Sequence, residues 1–272
     1  MSEPYNSKHV IDAKAPSTSL LFGGAPVNVV NPSYVSKWLR QGWQDFKHSP
    51  MHSLVYGFIF AIIGIFLERL SDISPSFRLS AVAGFLLLGP FLSLGLYDIS
   101  RQIEKGQPVS LFESALAIKH NMFALILYAL ALSAVMFVWI RVSVVVMGIF
   151  FNQANLAGLS SFELTMTIAK LAGGPAYLLV FFATGFLFAL GAFVSGVVTV
   201  PLMLDRKADI VTAVNTSIRA CLKNPKTMAL WAMTVAVLIG LGIFTYYLGL
   251  IVAAPVVAQA SWHVYRDLVA NA

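Results

Sequence analysis

Three short polar pairs recur where long apolar runs of the sequence end: Asp98 with Arg101, Asp205 with Arg206, and His263 with Arg266. A guanidinium presents parallel N–H donors, so an arginine beside a carboxylate or imidazole can hold a phosphate headgroup or another anion. The same six residues can instead pair with one another and fix a helix bundle, with nearby tyrosine and tryptophan anchoring its interface. The structural use is the commoner one, and the residue types leave both open.

Other chemistry is thin. The five histidines, His9, His48, His52, His120 and His263, fall in the N-terminal segment or at the ends of the apolar runs, not at their middles. Haem and copper centres within a bilayer need histidines at membrane depth, so a catalytic oxidase subunit is excluded on ligand grounds. His48, His52, His120 and His263 also lack the tight spacing usual for metal ligands, and no metal or other cofactor is predicted. Cys221 is the single cysteine, which leaves no intrachain disulfide. A nucleotide-binding glycine loop, a His-Glu-x-x-His pair and a Gly-x-Ser-x-Gly elbow are all missing. The sequence predicts no enzyme.

The elements that position these residues are helices suited to a bilayer. Apolar residues make up 58% of the 272 positions and charged residues 11%, against roughly a quarter charged in a soluble domain. Mean hydropathy is +0.79. A span needs about 20 apolar residues, and six segments qualify: 51–67, 79–97, 122–140, 175–204, 228–247 and 248–265. The last is the weakest, because only Tyr246-Tyr247-Leu248-Gly249 separates it from the fifth. Within them lie Tyr56, Tyr128, Thr184, Thr199, Thr234 and Gln259 but no Asp, Glu, Lys or His at hydrocarbon depth, which argues against ion-coupled transport. Arg141 interrupts one run and is expected to snorkel to an interface.

Basic residues orient the spans. Six spans put both termini on one side, together with loops 98–121 and 205–226, and that side then holds fourteen of the eighteen lysines and arginines. Positive residues stay cytoplasmic, so both termini are expected inside. The net charge of +6 follows from this topology and from attraction to anionic headgroups; nucleic acid is not needed to explain it.

Residues 1–31 are polar and rich in Ser, Pro, Asn and Gly, and read as a mobile tail ahead of a membrane domain over 32–272. The LLFGGAPVNVV stretch has the apolar content to dock, but no periodicity fixes how. Asn31-Pro32 then reads as a helix start, followed by Val35, Trp38, Leu39, Trp43 and Phe46 at helical spacing. That pattern suits a helix lying along a membrane surface.

Three stretches resemble one another: WQDFKHSPMHSL (43–54), SALAIKHNMFAL (114–125) and RACLKNPKTMAL (219–230). Each joins an amphipathic helix through a lysine-containing turn to an odd-numbered span. Pro90 precedes Asp98 and Arg101 at the offsets by which Pro255 precedes His263 and Arg266, with Pro201 close to Asp205-Arg206 in a looser middle copy. The expected fold is all-α: six spans, three cytoplasmic interfacial helices and a threefold parallel internal repeat, as in parallel-repeat transporters.

WLRQGWQDFKHSPMHSLVYG (38–57), VPLMLDRKADIVTAVNTSIRACLKNP (200–225) and ASWHVYRDLV (260–269) resemble the bacterial integral membrane proteins grouped as domain of unknown function 2189. The likeness is read from Trp38 to the C-terminus. It implies a bacterial inner-membrane protein with no established activity. Some members carry a cytochrome c oxidase label, and no catalytic residue transfers from the family.

Three function classes follow: a non-enzymatic scaffold or accessory subunit with a protein partner in a membrane complex, a channel or facilitator for a small solute or lipid, and an intramembrane lipid-modifying enzyme. The first is the expectation. The last lacks an acid, base or nucleophile at reachable depth.

Overall fold

A computed structural model describes residues 23–70, 93–151 and 161–270. The described chain is all helix apart from turns and one isolated bridge. In order, the helices are α1 (Tyr34–His48), α2 (Pro50–Leu70), α3 (93–104), α4 (Leu111–Ala115), a 3₁₀ turn (Ala117–His120), α5 (Met122–Phe150), α6 (Ser161–Lys170), α7 (Gly174–Gly196), α8 (Thr199–Arg206), α9 (Ile210–Lys223), α10 (Pro225–Phe244) and α11 (Leu250–Leu268).

By length and composition three segments can cross a membrane: Met122–Phe150, Gly174–Arg206 and Pro225–Phe244. The pair α1 and α2, bent by 107° at Ser49, counts as a fourth if taken as one broken span. The expected span over 79–97 lies mostly outside the described residues. α11 is not among the candidates. Gln259, Ser261, His263, Arg266 and Asp267 lower its hydropathy, and eleven of its nineteen residues are buried. It is an interior helix packed by α1, α2 and α10, so neighbouring helices rather than lipid meet most of its surface. α5 has 29 residues, about 43 Å at 1.5 Å per residue, longer than the hydrocarbon core. Arg141 is exposed on it and sits 5.0 Å from the Phe137 ring.

Proline accounts for the break between α7 and α8. Pro201 has no N–H to give the carbonyl four residues back, and its ring crowds that turn. The helix accordingly breaks at Val197 and Val198, where Val198 adopts φ −121° and ψ 0°. The turn from α10 to α11 places Tyr246 and Tyr247 in left-handed backbone, at φ 54° and 66°, a region disfavoured for bulky residues.

α1 is amphipathic as its spacing predicts, but its apolar face meets protein. Val35, Trp38 and Phe46 are buried, and the Trp38 ring packs edge-on to Trp231 at 5.9 Å. Trp43, expected on the same stripe, is 43% exposed. Close approach depends on glycine: a Cβ at Gly42 would lie 2.6 Å from Ala260 N and Val256 O, and one at Gly57 would lie 2.0 Å from Ile251 O. α1 and α2 therefore both rest directly on the α11 backbone.

Three polar residues share one backbone conformation, each at the junction between one helix and the next. Ser49 has φ −134° and ψ 62°, Asn121 φ −154° and ψ 55°, and Asn224 φ −127° and ψ 48°. Asn121 donates through Nδ2 to Met203 O and Ala208 O, and Asn224 donates to Asn28 O and Ala220 O.

Of the expected tail, residues 1–22 lie outside the described residues. Residues 23–31 are laid across the bundle as a strap. Val27 and Val30 are buried, and Val27 forms an antiparallel bridge with Val269. Backbone groups carry the docking: Ala25 N donates to Thr216 Oγ1, Val30 N to Asn224 Oδ1, Asn28 N to Leu268 O and Ala270 N to Pro26 O. Thr227 Oγ1 donates to Val30 O. This is how the LLFGGAPVNVV stretch docks over its described part.

Candidate functional site

The six residues singled out in the sequence lie at one end of the bundle, in three separate groups. Arg266 is the centre of the first. Its Nε donates to Glu104 Oε1 at 2.9 Å, its Nη2 lies 2.9 Å from the same oxygen, and its Nη1 stands 3.5 Å from Asp205 Oδ2. Trp262 Nε1 donates to Glu104 Oε2 and Tyr265 OH donates to Asp205 Oδ2. Arg206 closes the group: Nε donates to Tyr265 OH at 3.1 Å and Nη2 to Ala270 O at 2.9 Å. One side chain from α11 thus bridges α3 and α8, and Arg206 pins the residue that ends the strap bridge.

His263 joins neither Asp205 nor Asp98. It turns toward α1 instead, where Nε2 lies 2.8 Å from Asp45 Oδ2. One turn on, Asp267 accepts from Lys37 Nζ and Trp38 Nε1, both at 2.8 Å.

Asp98 and Arg101 form the third group, on α3. Asp98 is 1% exposed and accepts from Gln102 Nε2 at 2.6 Å, while Gln102 Oε1 accepts from Ser110 N. Asp98 Oδ1 lies 2.6 Å from Arg101 Nη2 but outside hydrogen-bond geometry; we read that contact as an ion pair by proximity. Arg101 Nη2 also lies 3.2 Å from His120 Nε2. His120 Nδ1 contacts Ala117 O at 3.0 Å. A carbonyl can only accept and a guanidinium can only donate, so the geometry assigns His120 the tautomer protonated on Nδ1. These residues border an open cleft of about 530 Å³ that also touches Lys105, Gln107, Phe112, Glu113 and Lys119.

Among the described residues, the pairing of Arg266 with Asp205 is the one ion pair between the expected equivalent ends. Asp98 pairs within its own helix instead, at i+3 and i+4, where no chain need be closed to bring partners together. Glu104, the principal partner of Arg266, was not among the candidates. It stands three residues after Arg101, and its helix neighbours carry no sign of a partner 162 positions away. Among the described residues, no three His, Cys, Asp or Glu side chains gather as metal ligands would.

Residues 78–205 match the family model described as predicted integral membrane protein (DUF2189). That segment is DUF2189-like. The resemblance read from the sequence is to this family, but the matched extent is narrower than Trp38 to the C-terminus. The stretches 38–57 and 260–269 lie outside it, and 200–225 enters only as far as Asp205. The match spans just under half of the chain and includes Asp98, Arg101, Glu104, the whole cleft and Asp205. It supports an integral membrane protein in contact with the lipid bilayer, multi-pass by its helix composition. Neither curated proteins nor solved structures provide a match to the chain.

Proposed function

We propose that this DUF2189-like chain is a non-enzymatic scaffold or accessory subunit of a complex in the bacterial inner membrane. The observation that carries the reading is how its charged groups are used. Arg266 is held by Glu104 and Asp205, Asp45 by His263, Asp267 by Lys37, and Asp98 by Arg101 and Gln102. Groups locked into mutual pairs hold neighbouring helices in place. The channel and lipid-modifying readings have no comparable observation in their favour.

The same proposal takes the chain as six spans, with α2, the 79–97 run, α5, α7 with α8, α10 and α11 crossing and both termini in the cytoplasm. The matching torsions at Ser49, Asn121 and Asn224 support a threefold repeat of surface helix, span, span. A hairpin at 245–249 joins α10 to α11 and supports counting α11 as a span despite its polar residues.

Purification in mild detergent with mass spectrometry of what co-purifies tests the scaffold reading. A stoichiometric membrane-protein partner is the expected result. A monodisperse chain with no partner under several mild detergents and after crosslinking in the membrane would overturn it.

A further inference from the structure

We propose that the cleft between the end of α3 and the α4–3₁₀ segment binds a phosphate group, supplied by the headgroup of an anionic lipid, with Lys105 and Lys119 as its main ligands. The inference does not depend on whether the chain has a protein partner.

Charge at the cleft is unevenly spent. The carboxylate of Asp98 is occupied by Arg101 and Gln102, which leaves Glu113 as the acid on the rim. Lys105 and Lys119 are both exposed, and neither makes an ion pair among the described residues. Two lysines without an ion-pair partner among the described residues therefore line, with Glu113 and the already paired Asp98, an opening of about 530 Å³. Lysine binds phosphate as a point charge with three donors.

The other polar groups of the cleft are tied to one another. Arg101 is held through Nη2 by Asp98 and by the Nε2 lone pair of His120, and Gln102 is tied to both Asp98 and Ser110 N. Such preorganisation lowers the cost of ordering the site when a ligand arrives.

The apolar surroundings favour a lipid over a free anion. Phe112 on the rim is 75% exposed, and Met122 and Phe123, which follow His120 at the start of α5, are 54% and 82% exposed. A headgroup phosphate on the lysines would leave acyl chains against these side chains. A soluble phosphate would gain nothing from them.

The full-length protein, purified and delipidated in detergent, is titrated with phosphatidylglycerol, with phosphatidylcholine of the same acyl chains, and with inorganic phosphate. Native mass spectrometry and the unfolding midpoint report binding. The wild type should retain phosphatidylglycerol over phosphatidylcholine. K105Q/K119Q should lose about fivefold in retention per lysine, the scale of one basic residue near an anionic surface. K105R/K119R should keep it. R40Q/K226Q, which removes two exposed charges outside the cleft, should behave as wild type. Lysine-dependent stabilisation by inorganic phosphate without preference for phosphatidylglycerol would overturn the lipid source while keeping the phosphate site. Equal retention in K105Q/K119Q and wild type, or equal loss in both glutamine variants, would overturn the site.

Discussion

Arg266 and Glu104 lie 162 residues apart in sequence, yet Nε and Oε1 are 2.9 Å apart. The contact joins α11 to α3, and Asp205 at 3.5 Å extends it to α8. Three helices that end at one face of the bundle are thereby tied through one guanidinium. The pair is partly exposed, with side chains 28% and 38% accessible, so solvent screens it and its contribution is modest.

The first prediction follows from that pair. R266E should lower the unfolding midpoint in detergent, because it sets a third carboxylate beside Glu104 and Asp205. Adding E104R should recover part of the loss. A double-mutant cycle should give a coupling of about 0.5–1 kcal/mol, the range of a partly screened pair. Coupling indistinguishable from zero would mean that Arg266 is held by Trp262 and Tyr265 packing and not by charge.

The strap gives a second. Deleting residues 1–22 should leave the unfolding midpoint unchanged, whereas deleting 1–30 should lower it, since Val27, Val30 and their backbone bonds go with the deletion. N224A should reproduce part of the larger effect. It removes the acceptor of Val30 N, a buried bond of 2.7 Å, and an unmet buried donor costs about 1–3 kcal/mol. Equal midpoints for the two deletions would show the docking to be energetically idle.

Glycine positions give a matched contrast. G57A should destabilise by about 1–3 kcal/mol, the usual cost of overpacking, because the added methyl meets the Ile251 carbonyl and backbone cannot step aside. G148A, inside α5 with open space around it, should not destabilise and should gain up to about 1 kcal/mol from helix propensity. Comparable losses in both would contradict the close α2–α11 crossing.

Asp209 caps α9, accepting from Thr212 N at 3.0 Å. Hydrogen bonds from Thr212 hold its carboxyl below the ordinary value of 3.8. A folded pKa lower than the unfolded one adds stability that is complete above about pH 4 and is lost as pH falls through the folded pKa. D209A should therefore cost about 1 kcal/mol near neutrality, as cap removal does, and the gap from wild type should narrow in acid. D209N should keep most of the cap without the pH dependence. A gap constant down to pH 3 would assign the effect to something other than the carboxylate.

Much of this fold could be read before the structure. The apolar runs after Ser49, Asn121 and Asn224 predicted α2, α5 and α10. The destination of α1 could not be read, because an amphipathic stripe is satisfied equally by lipid or by a helix, and Trp38 is buried against Trp231. The strap was equally hidden. Its bonds run from backbone groups to Asn224, Thr216 and Thr227, and leave no periodic trace in residues 23–31. At the site, equivalent positions pointed from Arg266 to Asp205, while Glu104 depended on how α3 and α11 lie together, which local spacing does not carry. Asp98 took the partners nearest in sequence, at three and four residues, where helix geometry alone suffices.

The most direct test of the account is topology at the two ends of the Arg266–Glu104 contact. Reporter fusions after Gly106, two residues beyond Glu104, and after Ala272 should report the same side of the membrane, the cytoplasm, while one between 152 and 160 reports the other. Opposite sides for Gly106 and Ala272 would contradict the account outright, since side chains 2.9 Å apart cannot lie across a bilayer from one another.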